Sequence, residues 1–222
     1  MHPLLYPMYV IKLSDLLEMK GVPEDFHSLL RRGHLHQWQS GMFVIFVSHE
    51  WLSSLHPDPK GSKLDVLQQC FLKLLKGSMS FSLREEVSHE PLRDLQDSAK
   101  ICEILAEAYV WMDWCSIPRD DASENMKAVQ SLPGYVERSE GFVALAPELE
   151  GKNFKSWLSR GWCQAELLFH LLAEKTETLV VHSPVRVEVR LGLQWQLESL
   201  GHGQFSMEED KAEVEKLVGR TE

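Results

Sequence analysis

The sequence predicts an α/β domain with a doubly wound, mainly parallel sheet of about four to five strands and helices on both faces. Four short segments rich in β-branched and aromatic residues are separated by stretches with helical patterning. The four segments are continuously apolar rather than alternating, which is typical of strands that are covered on both faces. Strands and helices in alternation favour βαβ units with right-handed crossovers, and hence a mainly parallel sheet.

The strand predictions rest on composition and on what ends each segment. Each segment runs into polar, glycine or proline residues, which end strands. The predicted strands are 42–48, 109–114, 141–146 and 178–182.

Four helices are predicted between and after these strands. Residues 62–76 begin with Ser62 and Asp65 in capping-box spacing and carry one apolar stripe. A second helix opens at Pro91 and runs to about residue 105. A third is capped by Ser123 and is interrupted by Pro133. The fourth covers 161–173.

Two flanks complete the predicted organisation. Residues 1–40 form a helical N-terminal flank, with one short helix after Ser14 and another from Pro23 to near Gly33. The α/β domain covers 41–183.

Residues 184–222 are predicted to be a C-terminal extension packed on the same domain. They offer a strand or loop over 185–189, an amphipathic piece around Trp195, and a helix capped by Ser206 with Glu209. No repeat or Gly/Ser-rich linker divides the chain, so no separate second domain is expected.

The composition is that of a chain able to bury a core. Of 222 residues, 44% are hydrophobic and 25% are charged, whereas disordered chains contain far less apolar material. The net charge of −10 argues against binding of nucleic acid as the default function.

Membrane insertion and secretion are also not expected. The longest apolar run, 42–47, is far shorter than the roughly 18 to 20 residues that cross a bilayer, and no signal-peptide pattern is visible. The four cysteines form no CxxC pair and are too few for a disulfide scaffold, so they are expected to be reduced thiols. A cytoplasmic protein follows.

Polar side chains cluster after the predicted strands, where open α/β sheets bind their ligands. The first strand runs into 48–51, the second into 113–116, and the third leads through a loop to 159–166. Each residue also has an ordinary structural interpretation. Tryptophans pack in cores, an aspartate caps a turn, and an arginine forms a surface ion pair. Glu166, in an otherwise apolar helix, either points to solvent or faces a site, because an uncompensated buried carboxylate is costly.

Several familiar catalytic motifs are missing. His49-Glu50 is not followed by the second histidine of HExxH, and neither a phosphate-binding glycine motif nor a G-x-S-x-G elbow is present. Three residue pairs could share a metal ion, but no third ligand is evident for any of them. These pairs are Glu166 with His170, His34 with His36, and His49 with His56. We therefore predict no metal site and no permanently bound cofactor.

Three blocks, taken in order, resemble TIR domains and their distant relatives, the fungal heterokaryon-incompatibility (HET) domains. Residues 46–48 resemble the first TIR box, a hydrophobic strand that ends in serine. Residues 110–117 resemble the W-I-D-x-C-x-I-D block of HET domains. Residues 159–167 are similar to the R-G-W-x-x-x-E-L block of HET domains and the S-x-W-C-x-x-E-L block of TIR domains. The similarity covers 42–182 and is closest in motif to the HET branch.

The resemblance implies a TIR- or flavodoxin-like sheet and an activity. Many TIR domains hydrolyse NAD at the nicotinamide–ribose bond with the glutamate of the last block, which Glu166 matches. A fixed carboxylate can stabilise the oxocarbenium-like ribose of that reaction, as in glycosidases. NAD would then be a substrate rather than a bound cofactor. The residues expected to contact the nucleotide are Ser48, Trp51, Asp113, Arg160 and Trp162.

Three interpretations of function stay open at this point. The first is an NAD-hydrolysing TIR/HET-like domain. The second is a non-enzymatic, self-associating module of an innate-immunity or incompatibility-type pathway, in which other protein partners receive the signal. The third is a general nucleotide- or sugar-binding α/β protein.

Overall fold

The structure is a computed structural model that describes residues 2–78, 82–83, 98–175, 177–195, 204 and 208–218. The strands are β1 Tyr9–Lys12, β2 Leu35–Gln37, β3 Val44–His49, β4 Ser82–Leu83, β5 Tyr109–Trp111, β6 Gly141–Leu145, β7 Glu177–Ser183 and β8 Arg186–Leu191. The helices are α1 Leu13–Glu18, α2 Phe26–Arg31, α3 Ser62–Leu75, α4 Ser98–Ala106, α5 Asp113–Ser116, α6 Ala122–Gln130, α7 Leu132–Glu137, α8 Phe154–Ser159, α9 Gly161–Leu172, α10 Gly192–Trp195 and α11 Glu208–Val218.

The strands form one mixed sheet in the order β2-β1-β5-β3-β6-β7-β8-β4. The four predicted strands are β3, β5, β6 and β7, which lie side by side and parallel at its centre. The α/β class and the parallel centre are thus confirmed. The antiparallel pairs lie outside that centre: β1 joins β2 to β5, and β8 runs against β7.

The predicted number of strands is wrong, because the described residues alone form a sheet of eight. Two of the additional strands, β1 and β2, belong to the flank that was expected to be only helical. They are four and three residues long, too short for a periodicity to appear in the sequence. β8 settles the alternative left open for 185–189 in favour of a strand, and β4 adds a two-residue edge strand. The second predicted strand is also too long, because α5 begins at Asp113.

Strand β3 lies at the centre of the sheet. It pairs in parallel with β5 on one side and β6 on the other, and all six of its residues are buried. Val44 and Phe46 contribute to a core shared with α6, α7, α8, α9 and α11. Ile45 and Val47 contribute to a core shared with α1, α2, α3, α4 and α5. Successive side chains of a strand point to opposite faces, so β3 carries apolar groups into both layers.

Two predicted helix caps are corrected. The N-cap of α3 is Gly61 rather than Ser62, and the side chain of Asp58 accepts a hydrogen bond from the Leu64 amide at 2.9 Å. The N-cap of α6 is Asp121 rather than Ser123, because the Asp121 carboxylate reaches two free amides of the first turn.

The remaining helix predictions differ in outcome. The helix predicted over 161–173 is α9, and the one expected to open at residues 23–25 is α2, which Asp25 caps. Pro91, predicted to open the second helix, and Ser206, predicted to cap the last one, lie outside the described residues. Among the helices that the structure describes, none has the length and apolar character needed to cross a membrane.

Gly61 permits a close approach between α3 and the N-terminal flank. Its φ of 74° lies in the left-handed region, and a side chain there would overlap the carbonyl group of Gly21. Glycine at this position therefore sets the start of α3, directly after the loop that leaves β3.

Candidate functional site

A buried serine and glutamate meet at the carboxyl end of β3. The Ser48 hydroxyl donates a hydrogen bond to Glu166 Oε2 at 2.5 Å, and Trp157 Nε1 donates to Ser48 Oγ at 3.2 Å. Ser48 is fully buried, and Glu166 is 9% exposed. Of the two orientations open for Glu166 from the sequence, the structure has the one that faces the strand end rather than solvent.

The environment of Glu166 favours the neutral carboxyl. Burial raises its pKa to about 8, the hydrogen bond from Ser48 opposes that shift, and the charge of Asp113 adds to it. A carboxyl with this pKa is mostly protonated at pH 7. Positive charge brought next to it by a ligand would favour the carboxylate, because opposite charges lower the pKa of an acid.

A second polar pair lies on the other face of β3. His49 Nε2 and Asp113 Oδ1 are 2.8 Å apart, and the histidine side chain is 4% exposed. Trp51 Nε1 donates to Asp113 Oδ2 at 2.8 Å, and the Trp114 amide donates to Oδ1 at 2.6 Å. Arg119 lies 3.5 Å from Oδ2. The carboxylate is thus held by four partners.

These contacts determine the charge of Asp113. Burial alone would raise its pKa, but the His49 ring, the Arg119 guanidinium and the Trp51 hydrogen bond lower it to about 2. Asp113 is therefore ionised at neutral pH. The other ring nitrogen of His49, Nδ1, is buried and has no hydrogen-bond partner among the described residues.

Arg119 lies against two indoles beside this pair. Its guanidinium carbon is 4.6 Å from the Trp51 ring centroid and 5.1 Å from that of Trp114. The two indoles meet edge to face at 5.7 Å, and the His56 ring lies 4.3 Å from Trp114. Cation–π contacts of this kind hold an arginine in place while its outer N–H groups stay available.

Glu50 connects the strand end to α8 and α3. Its carboxylate, 4% exposed at the side chain, lies 2.8 Å from Lys152 Nζ and accepts a hydrogen bond from Ser156 Oγ at 2.6 Å. Its backbone carbonyl accepts a hydrogen bond from the buried Lys63 ammonium. Burial lowers the pKa of Lys63. Three polar residues in succession, 48–50, thus organise the surroundings of the strand end.

The chain matches no protein-family model, no curated protein and no solved structure. The resemblance to TIR and HET domains therefore depends on the three sequence blocks. The described residues also contain no group of three or more His, Cys, Asp or Glu side chains that could hold a metal ion.

The structure brings together some of the residues expected at the site and separates others. Ser48 contacts Glu166, and Trp51 contacts Asp113, as described above. Arg160 is the N-cap of α9, and Trp162 packs against the core beneath α9. Among the hydrogen bonds of the described residues, none joins either of their side chains to Glu166.

Sequence reasoning missed Trp157, Lys63 and Arg119. Nothing in the sequence distinguishes Trp157 from a core tryptophan or Lys63 from a solvent-exposed lysine at the start of a helix. Arg119 could have been found from the sequence, because it follows the carboxyl end of the second predicted strand, as Asp113 does.

The junction between α8 and α9 is bonded to the C-terminal extension. The Gly161 amide donates to the Gln204 carbonyl at 2.9 Å, and the Gln204 amide donates to the Ser159 carbonyl at 2.6 Å. Helix α9, which carries Glu166, therefore begins at a backbone bridge to a segment more than forty residues later in the chain.

Proposed function

We propose that this chain is a TIR/HET-like signalling domain that hydrolyses NAD at the nicotinamide–ribose bond, with Glu166 as the catalytic carboxylate. The observation that carries the proposal is the buried Ser48–Glu166 pair at the carboxyl end of a central parallel strand. Ligands of open α/β sheets bind at that end, where the strand order reverses direction. Here the reversal is at β3, since β5 lies on one side of it and β6 on the other. This order also supports a doubly wound arrangement.

The chemistry fits a carboxyl whose charge depends on its ligand. As the bond from ribose C1′ to the nicotinamide nitrogen breaks, its electron pair stays with nicotinamide, which leaves as a neutral molecule. Positive charge then develops on the ribose, and the Glu166 carboxylate stabilises it. Water adds to C1′ and releases one proton to solvent, which gives ADP-ribose. The cationic nicotinamide ring of bound NAD favours ionisation of Glu166, so the charge would be present when it is needed.

A release assay tests this function. Wild-type protein at high concentration, with a crowding agent, is expected to release nicotinamide from NAD. Glu166→Gln should lower that release by about 100-fold or more, because the amide cannot offer the negative charge. Glu177→Gln is the matched control. Burial also raises the pKa of Glu177, but this residue begins β7 and so lies at the amino ends of the parallel strands, away from Glu166.

The outcomes separate clearly. Unchanged release by Glu166→Gln would reject the catalytic role of this residue. No release by folded wild-type protein would reject NAD hydrolysis as the function.

Exposed apolar side chains favour a second candidate, the self-associating interaction module. Leu55, in the segment that joins β3 to α3, is 85% exposed, and Val185, between β7 and β8, is 77% exposed. Large exposed apolar side chains are common in contact surfaces, although single ones also occur on monomers. Size measurements over a concentration series test it, with a strict monomer at every concentration as the contrary result. Leu55→Ser should weaken any association that is found.

A further inference from the structure

A cavity of about 230 Å³ lies beside the Asp113 cluster, between α2 and the segment that follows α5. It is smaller than the roughly 300 to 1,000 Å³ typical of sites for whole drug-sized ligands, so it fits one part of a larger molecule. The residues that line it are Asp25, Phe26, His27, Arg31, Trp114, Arg119 and Asp120.

Of the two carboxylates in this wall, Asp25 is hydrogen-bonded and Asp120 is largely exposed to solvent. The Asp25 carboxylate accepts hydrogen bonds from the amide and the hydroxyl of Ser28, which cap α2. Asp120 is 79% exposed and lies 3.3 Å from His27 Nε2. Neither carboxylate needs a ligand to satisfy it.

Most N–H donors of the two arginines in the wall make no hydrogen bond with the described residues. Each guanidinium has five N–H groups. Arg31 makes one hydrogen bond, to Ser28 Oγ at 3.3 Å, and Arg119 makes one, at 3.5 Å, to Asp113. Arg31 forms no ion pair within 4.0 Å with any carboxylate of the described residues. A ligand that completes this cavity must therefore bring acceptors.

Trp114 adds a flat apolar wall whose position is fixed. Its indole nitrogen donates to the Pro23 carbonyl at 3.1 Å, and its ring lies against Arg119 and His56. Guanidinium groups bind phosphoryl oxygens in pairs, and an indole face stacks on a sugar or base.

We propose that this cavity binds the phosphoryl groups of a nucleotide through Arg31 and Arg119, with Trp114 as the wall against which the attached nucleoside lies. Contacts connect the cavity to the candidate catalytic site. Arg119 touches Asp113, Asp113 touches His49, and His49 directly follows Ser48, which holds Glu166. The Ser48–Glu166 pair lies on the opposite face of β3 from His49, so under the proposed function a dinucleotide with its diphosphate at Arg119 would have to extend around the carboxyl end of β3 to bring its scissile bond to Glu166. That second statement rests on the proposed function, whereas the phosphoryl site does not.

Calorimetric titration with ADP-ribose tests the site without any turnover. Wild-type protein should bind ADP-ribose, and raised salt should weaken the binding because the contacts are ionic. Arg31→Gln should raise the Kd about tenfold, since one charge-assisted hydrogen-bonding group is lost. Arg119→Gln should raise it at least as much. Arg32→Gln is the matched control, because Arg32 is the next residue but pairs with Glu24 at 2.5 Å outside this cavity.

Titration with inorganic pyrophosphate and assays of nicotinamide release distinguish the remaining outcomes. Equal, arginine-dependent affinity for pyrophosphate and ADP-ribose would support the phosphoryl site but overturn the nucleoside contact with Trp114. Absence of ADP-ribose binding at millimolar concentration, or equal binding by all three variants, would overturn the site. Binding that depends on both arginines, without nicotinamide release by the wild type, would uphold the site and reject the proposed hydrolysis. Nicotinamide release with an unchanged KM for NAD in Arg31→Gln and Arg119→Gln would uphold the proposed hydrolysis and reject the phosphoryl site.

Discussion

At the scale of single residues, Glu166 is a carboxyl whose burial costs stability and whose position suits it for chemistry. A carboxyl enclosed between β3 and α9, with one serine hydroxyl as its hydrogen-bond donor, is held in its neutral form by burial. Leucine or methionine would fill such a position in a helix without that cost. A residue that lowers stability in its charged form and lies at a strand end is typical of functional sites.

This cost gives a pH-dependent prediction for Glu166→Gln. The pKa of Glu166 is raised from 4.5 to about 8 in the folded state, so folding favours the protonated form. The stabilisation is complete below pH 4.5 and is lost as the pH rises through 8. Glutamine stays neutral throughout. The free energy of unfolding of Glu166→Gln, relative to wild type, should therefore increase by about 3 kcal/mol between pH 5 and pH 8.

Urea denaturation at pH 5, 6, 7 and 8 measures this difference. The control is Glu103→Gln on the exposed side of α4, measured under the same conditions. A difference that stays flat with pH for Glu166→Gln would show that Glu166 titrates normally in the folded protein.

At the scale of elements, the start of α3 depends on the backbone conformation of Gly61 together with the Asp58 carboxylate, which accepts a hydrogen bond from the Leu64 amide. Gly61 has a φ of 74° and a close neighbour in Gly21, while Gly151 has a φ of 78° and no atom within 4 Å of the position that a Cβ would take. The two glycines share the same backbone conformation and differ in the space around them.

That difference predicts two distinct costs. Gly151→Ala should lower the free energy of unfolding by about 1 to 2 kcal/mol, the cost of a left-handed alanine. Gly61→Ala should cost more, because α3 must also move away from the N-terminal flank. Thermal and urea unfolding of both variants measure the two values, and equal losses would contradict the close approach at Gly61.

At the scale of the whole molecule, the central layer could be predicted from sequence and its edges could not. The centres of β3, β5, β6 and β7 are runs of apolar residues because both faces are covered, and that pattern is visible in the sequence. β1 and β2 are short, and their partners follow from tertiary pairing rather than from local composition.

The same reasoning explains the candidate site. Strand-end residues such as Ser48 and Asp113 could be found because topology brings strand ends together. Arg160 and Trp162 are predicted only from their place in a sequence block, and they lie at the N-cap and in the first turn of α9. Trp157 and Lys63 come from helices, and only the packing of those helices brings them to the end of β3. The functional roles of Ser48, Asp113, Arg160 and Trp162 stay predictions.

The C-terminal helix provides a prediction at this scale. Leu217 of α11 is 2% exposed and belongs to the core shared with α9. Leu217→Ala should lower the free energy of unfolding by about 2 to 4 kcal/mol, through lost burial and the cavity left behind. Met126→Ala is the control, since Met126 is 47% exposed on α6 and should change stability little. Equal, small effects would indicate that α11 does not pack as described.

The bridge between Gln204 and the start of α9 ties the C-terminal segment to the helix that carries Glu166. Two backbone hydrogen bonds hold the junction of α8 and α9 between Ser159 and Gly161, and Glu166 lies little more than one helical turn further on. A displacement of the backbone at Gln204 would therefore be passed to the enclosed Glu166 carboxyl through the first turns of α9.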